Sequence, residues 1–159
     1  MRIGVISDTH LTKVSEDFRK TFQKYLGTCD MILHAGDFVG VELLKFFTDF
    51  NFYGVAGNMD LPEVKNLLPQ KQVIQAGKFR IGLIHGWGAP WGIEDKLFNE
   101  FNDVDCIVYG HTHQARNGKK GEILMFNPGT ATDRRFTDDL TFGIITVEDQ
   151  LSGEIIRIG

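Results

Sequence analysis

Long apolar stretches are missing from this chain. Uninterrupted apolar runs, such as 31–33 and 123–126, fall far short of the ~20 residues a membrane-spanning helix needs. Cysteine is scarce. Cys29 and Cys106 are the only two, and each stands at or just before the start of an apolar run, so buried thiols are expected rather than a disulfide framework. The first apolar run is cut short by Asp8 and is too brief for a secretory leader core. A reducing, cytoplasmic setting is the expectation. Proline is sparse too, with four residues at 62, 69, 90 and 128, and no linker, repeat or low-complexity segment separates them. One domain spanning 1–159 is expected. A basic excess is also lacking: 17 Lys and Arg stand against 21 Asp and Glu, for a net charge of −4 with His neutral. No Lys/Arg stripe interrupts this, and the pairs Lys119-Lys120 and Arg134-Arg135 read as solvated loops. A duplex nucleic acid is therefore a poor partner.

Glycine, by contrast, is plentiful, and many of the 18 close an apolar run, where tight turns leave strands and sites are built. Buried strands are expected at 2–7, 31–35, 52–56 and 106–109. Helical spacing of apolar residues predicts helices at 14–26, 41–50 and 93–101, with a short one at 62–68. The Phe-rich helices read as core. Hairpins are expected for 72–75 with 79–84, for 114–116 with 122–126 around Asn117-Gly118, and for 140–147 with 154–158 around Ser152-Gly153. The order is α/β: parallel strands first, antiparallel pieces last, as in a mixed-sheet sandwich with helices outside.

The residues just past each apolar run carry the chemistry. The runs end in Asp8-Thr9-His10, Gly36-Asp37, Gly57-Asn58, His85-Gly86, Gly110-His111-Thr112-His113 and Asn127-Pro128-Gly129. At the carboxyl edge of parallel strands such tips converge on one crevice. Asp8, His10, Asp37, Asn58, His85, His111 and His113 offer imidazole and oxygen donors and no thiolate, a mixture suited to Mn, Fe, Zn, Ni or Mg. A tetrahedral catalytic zinc uses about three protein ligands. Two ions sharing a carboxylate would employ all seven. His34, inside a strand, reads as a supporting residue. Any one of these elements alone is ordinary turn chemistry. All of them, each after a buried strand, are not.

Together they resemble the calcineurin-like metallophosphoesterase superfamily, and the length and the Asn-Pro-Gly ending resemble its small phosphodiesterase branch, to which the retromer scaffold subunit is similar. The resemblance implies a four-layer αββα sandwich. It implies one ion on Asp8, His10, Asp37 and His113 and a second on Asp37, Asn58, His85 and His111, with Asp37 bridging. Manganese is expected first, with nickel, zinc, iron or magnesium as substitutes. Asp37, Asn58 and His111 are implied in catalysis, and hydroxide made available by the two ions would cleave a phosphodiester. A scaffold with little turnover and a phosphomonoesterase are the alternatives. A small, nucleotide-like diester is the expected partner, with homo-oligomers open.

Two departures from the family pattern stand out. Met59 follows Gly57-Asn58 where many members carry a proton-donating His, and the neighbouring Asp60 could act as an acid only with a strongly raised pKa. Phe38 and Val39 follow Asp37, with no Asp-Arg-Gly stretch of the kind that clamps doubly charged phosphates. Trp87 and Trp91 read as packing on the sheet edge, the alternative being an aromatic wall that stacks on a base.

Overall fold

The computed structural model describes all 159 residues. The chain runs β1 (Arg2–Ile6), α1 (Glu16–Tyr25), β2 (Met31–His34), α2 (Val41–Phe47), β3 (Phe52–Gly54), α3 (Pro62–Leu67), β4 (Lys71–Ala76), β5 (Phe79–Ile84), α4 (Ile93–Phe98), β6 (Cys106–Val108), β7 (Arg116–Lys120), β8 (Ile123–Asn127), β9 (Thr141–Val147) and β10 (Leu151–Arg157). No helix is long and apolar enough to cross a membrane.

The strands form two five-stranded sheets, ordered β10-β9-β1-β2-β3 and β4-β5-β6-β8-β7. β1, β2 and β3 are parallel, as are β5, β6 and β8, and antiparallel strands complete each sheet. Three apolar clusters glue the layers. Ile3, Val5, Leu33, Ile81, Leu83, Val108 and Phe126 fill the space between the sheets. The alternate residues Ile6, Ile32, Phe142 and Ile144 face outward under Phe18, Phe22, Leu43, Phe47 and Val64 of α1, α2 and α3. Ile84, Ile107 and Met125 meet Ile93 and Leu97 of α4 on the far side. The result is the four-layer αββα sandwich expected. Central strands are nearly continuous apolar runs because both of their faces are buried.

Local chemistry sets the ends. Helix α1 begins at Glu16, two residues later than its spacing suggested, because the Ser15 side chain accepts the Phe18 N–H (3.1 Å). Ser15→Ala should cost about 1 kcal/mol, read as a small fall in urea midpoint. Two hairpin turns differ from expectation. Asn117-Gly118 lies inside β7, and the chain turns at Gly121 (φ +60°). Ser152-Gly153 lies inside β10, and the chain turns at residues 148–150. Cys106 is buried and Cys29 half-buried, both free, and burial pushes both thiols up.

Candidate metal centre

The carboxyl ends of β1, β2 and β3 meet those of β5 and β6 along one edge of the sandwich. Backbone bonds stitch the tips together: Asp8 N–H to Gly36 O (3.0 Å), His10 N–H to Asp37 O (3.0 Å) and Gly110 N–H to His85 O (3.0 Å). Five tip residues take left-handed backbone conformations: Asp8, His10, Asp37, His111 and His113, with φ between +47° and +70°. Such conformations cost free energy in non-glycine residues and concentrate at functional sites. Two glycines permit the close approach. A Cβ on Gly57 would overlap the Asp37 carboxylate, and one on Gly110 would overlap Ser7 and Asp8.

All seven side chains singled out in the sequence come together here. Asp8 Oδ1 lies 3.2 Å from His113 Nε2, 3.8 Å from His10 Nε2 and 4.0 Å from His85 Nε2. Asp37 Oδ2 stands between His10 Nε2 (3.5 Å) and His85 Nε2 (3.3 Å). Asn58 Oδ1 is 3.0 Å from His85 Nε2 and 3.2 Å from His111 Nδ1. Two subsets are compact enough to hold an ion: Asp8, His10 and His113, and Asp8, Asp37 and His85.

The donor set fits divalent cations. Asp8 Oδ1 is buried with no hydrogen-bond donor, while Oδ2 is satisfied by Ser7 Oγ (2.6 Å) and the His111 N–H (3.0 Å). His85 gives its Nδ1–H to Ala35 O (2.7 Å), so in the neutral ring the Nε2 lone pair faces only oxygens. His111 likewise spends Nε2–H on Gly88 O (2.7 Å) and turns Nδ1 inward. Lone pairs aimed at one another call for a positive charge among them. Without metal a proton takes that place. Burial works against a charged His85, but Asp37 and Asp8 outweigh it and push its pKa up to about 9. Burial would likewise raise the Asp8 carboxyl, yet His10, His113 and His85 hold it well below the usual range. Asp37 is lowered in the same way, chiefly by His85.

The calcineurin-like phosphoesterase superfamily domain matches residues 1–150. The chain belongs to that superfamily. A probable metallophosphoesterase of Methanocaldococcus jannaschii is 33% identical over 162 residues, covering 99% of this chain and 82% of the relative. Among solved structures, a single mutant of Vps29 from Entamoeba histolytica has TM-score 0.77 at 26% identity, covering 100% of both chains. A novel archaeal phosphodiesterase has TM-score 0.76 at 22% identity, covering 99% of this chain and 100% of its own, a likeness of fold.

Around the seven residues, this metallophosphoesterase domain places supporting residues, His34 as the sequence led one to expect and others that sequence reading missed or misjudged. Asp60 is no proton donor in waiting. Burial pushes its carboxyl up, but both oxygens accept backbone N–H bonds, from Asp37 (3.1 Å), Val39 (2.7 Å) and Gly57 (2.7 Å). It clamps the Asp37 loop to the Asn58 loop and holds Val39 at φ +83°. Asp60→Asn turns an NH₂ toward those donors and should cost about 2 kcal/mol in denaturant melts. His34 is fully buried, accepts the Gly36 N–H at Nδ1 (3.1 Å), and sits 3.1 Å from Thr9 Oγ1 at Nε2. Asn127 pins the Gly110-His111-Thr112 loop through Gly110 O (2.9 Å) and Thr112 Oγ1 (3.1 Å). Asp133 borders the centre, 3.7 Å from His113 Nδ1 and 3.8 Å from His10 Nε2. Its position just past Asn127-Pro128-Gly129, after the last parallel strand, was the available signal.

The tryptophans do not pack on a sheet edge. Trp91 is 80% exposed, and Trp87, 44% exposed, lines a cavity together with Asn58 and His85.

Proposed function

We propose that the chain is a metal-dependent phosphodiesterase with a dinuclear centre. Asp8, His10, Asp37 and His113 would hold one ion, and Asp37, Asn58, His85 and His111 the other. The observation that supports this most is Asp37 Oδ2, set 3.5 Å from His10 Nε2 and 3.3 Å from His85 Nε2, where one carboxylate can serve two neighbouring ions. Bound divalent ions, manganese first, supply the Lewis acidity that attracts a phosphoester and brings the pKa of water toward neutrality.

The protein's own part is to hold and orient. Ser7 and the His111 N–H aim Asp8. Ala35 O and Gly88 O set the tautomers of His85 and His111, so that each presents a lone pair inward. Asp60 fixes the spacing between the Asp37 and Asn58 loops. Met59 cannot donate a proton and Asp60 is committed elsewhere, so esters with good leaving groups are favoured.

Diesters are preferred over monoesters because the stretch after Asp37 carries no arginine to clamp a doubly charged phosphate. Phe38, after Asp37, is buried and stacked on His34 (centroids 3.6 Å apart). The Arg135 guanidinium nearby is already paired with Asp133 (2.6 Å). A singly charged diester needs less compensation than a doubly charged monoester. The second reading, an interaction scaffold with little turnover, is favoured by the apolar side chains of Met59, Leu61 and Leu67, exposed along and beside α3.

Metal-stripped protein should regain hydrolysis of bis-(p-nitrophenyl) phosphate when Mn²⁺, Ni²⁺, Zn²⁺ or Mg²⁺ is restored singly. His111→Ala should lose it. A higher kcat/KM on p-nitrophenyl phosphate would make the protein a monoesterase. Folded protein that binds metal and turns over neither ester would establish the scaffold.

A further inference from the structure

A cavity of about 650 Å³ opens beside the centre. Asn58 and His85 line it on the side of the centre, and Trp87, Lys65, Gln70 and Lys71 are among its other walls. Its volume lies within the range of about 300–1,000 Å³ typical of small-molecule sites. Lys71 is neutralised by Glu100 (2.8 Å). Lys65 is not: its Nζ donates to the backbone carbonyl of Asn58 (3.2 Å), a partner without charge. Lys65 therefore brings a free positive charge directly behind a residue of the centre. Trp87 presents an indole held at its backbone, because Lys96, outside the cavity, donates to Trp87 O (2.7 Å) and lies 5.5 Å from the ring centroid. Gln70 adds an amide able to donate and accept. The other large cavity, about 590 Å³ beside Trp91, has its charges already matched, Glu94 with Arg116 and Asp95 with Lys120.

We propose that the Trp87–Lys65 cavity is a subsite for the part of the substrate beyond the scissile phosphate, and that it takes a nucleoside carrying a second phosphate. The base stacks on Trp87, which tolerates any base because every base has a π-face. The second phosphate meets Lys65, a compact point charge suited to it. This rests on the reading of the centre as a phosphoester site.

Equilibrium binding tests it without turnover. Trp91→Phe leaves Trp87 as the sole indole of the two in the chain. Its emission is followed during titration with adenosine 5′-monophosphate and with adenosine 3′,5′-bisphosphate, in Zn²⁺-loaded and metal-free protein. Both should quench, the bisphosphate binding about tenfold more tightly. Lys65→Gln, a change at an exposed position whose folding is checked by thermal melt, should collapse that ratio toward one. Absence of quenching by both nucleotides overturns the subsite. So does a ratio that Lys65→Gln does not move. The expected binding pattern in a protein that cleaves no ester with any metal would retain the subsite and discard the phosphodiesterase reading. Turnover without the pattern would do the reverse.

Discussion

Asp37→Asn should reduce metal-dependent kcat/KM on the order of 10³-fold or more and weaken metal uptake at both positions. Asparagine has nearly the volume of aspartate, so the loop can keep its shape. The loss lies in charge and in donor chemistry. Asp37 Oδ2 is the oxygen placed between His10 and His85, and Oδ1 accepts the Met59 N–H (2.8 Å). An amide there either offers one neutral oxygen or turns an NH₂ toward the imidazoles. Isothermal titration with Zn²⁺ should fall from two bound ions to one weakly held ion or none, with the far-UV spectrum unchanged. A variant that still binds two ions and keeps turnover within about tenfold would remove Asp37 from the bridging position.

The metal-free protein should be most stable near pH 6.5 and lose stability on both sides, through two buried histidines of opposite behaviour. Burial of His34 pushes its pKa down to about 3, against about 6.5 in the unfolded chain. The unfolded state then binds a proton that the folded state refuses. Stability is fully present above about pH 6.5 and is lost as pH falls toward 3, about 3 kcal/mol of it by pH 4.5. His85 is raised to about 9. Its contribution is complete below about pH 6.5 and disappears as pH rises through 9, again about 3 kcal/mol. The lowered Asp8 and Asp37 carboxyls add to the loss in acid, below the usual carboxylate pKa of about 4. Urea melts in chelator at about pH 4.5, 6.5 and 9.5 measure this directly. With Zn²⁺ present the alkaline loss should vanish, since a bound cation replaces the His85 proton. A chelated protein equally stable at the two higher pH values would show that His85 holds no proton.

Much of this was legible along the chain because the sandwich buries its central strands on both faces. That turns β1, β2, β5, β6 and β8 into apolar runs, and their polar ends into visible punctuation. Legibility failed where a strand has a solvent face. β7, Arg116–Lys120, is an edge strand made largely of polar residues, so its Asn117-Gly118 pair read as a turn, whereas the register places Gly118 opposite Met125. Gly153 misled in the same way. It is a strand residue against which the Phe126 ring packs, leaving no space for a Cβ. The tryptophans were misread because exposure is not written in residue type.

The seven donors, their order and their chemistry are properties of the chain, since each follows its own strand and local backbone rules put it at a tip. Which donor meets which is not. His113 approaches Asp8 and His10 across about a hundred residues, and His85 reaches Ala35 O from the other sheet. Those meetings depend on how two sheets stack, a sum of many non-local apolar contacts that no local pattern encodes. The same stacking commits Asp60 to three backbone donors, brings Asp133 beside His113, and opens the cavity where Trp87 and Lys65 share a wall with the centre.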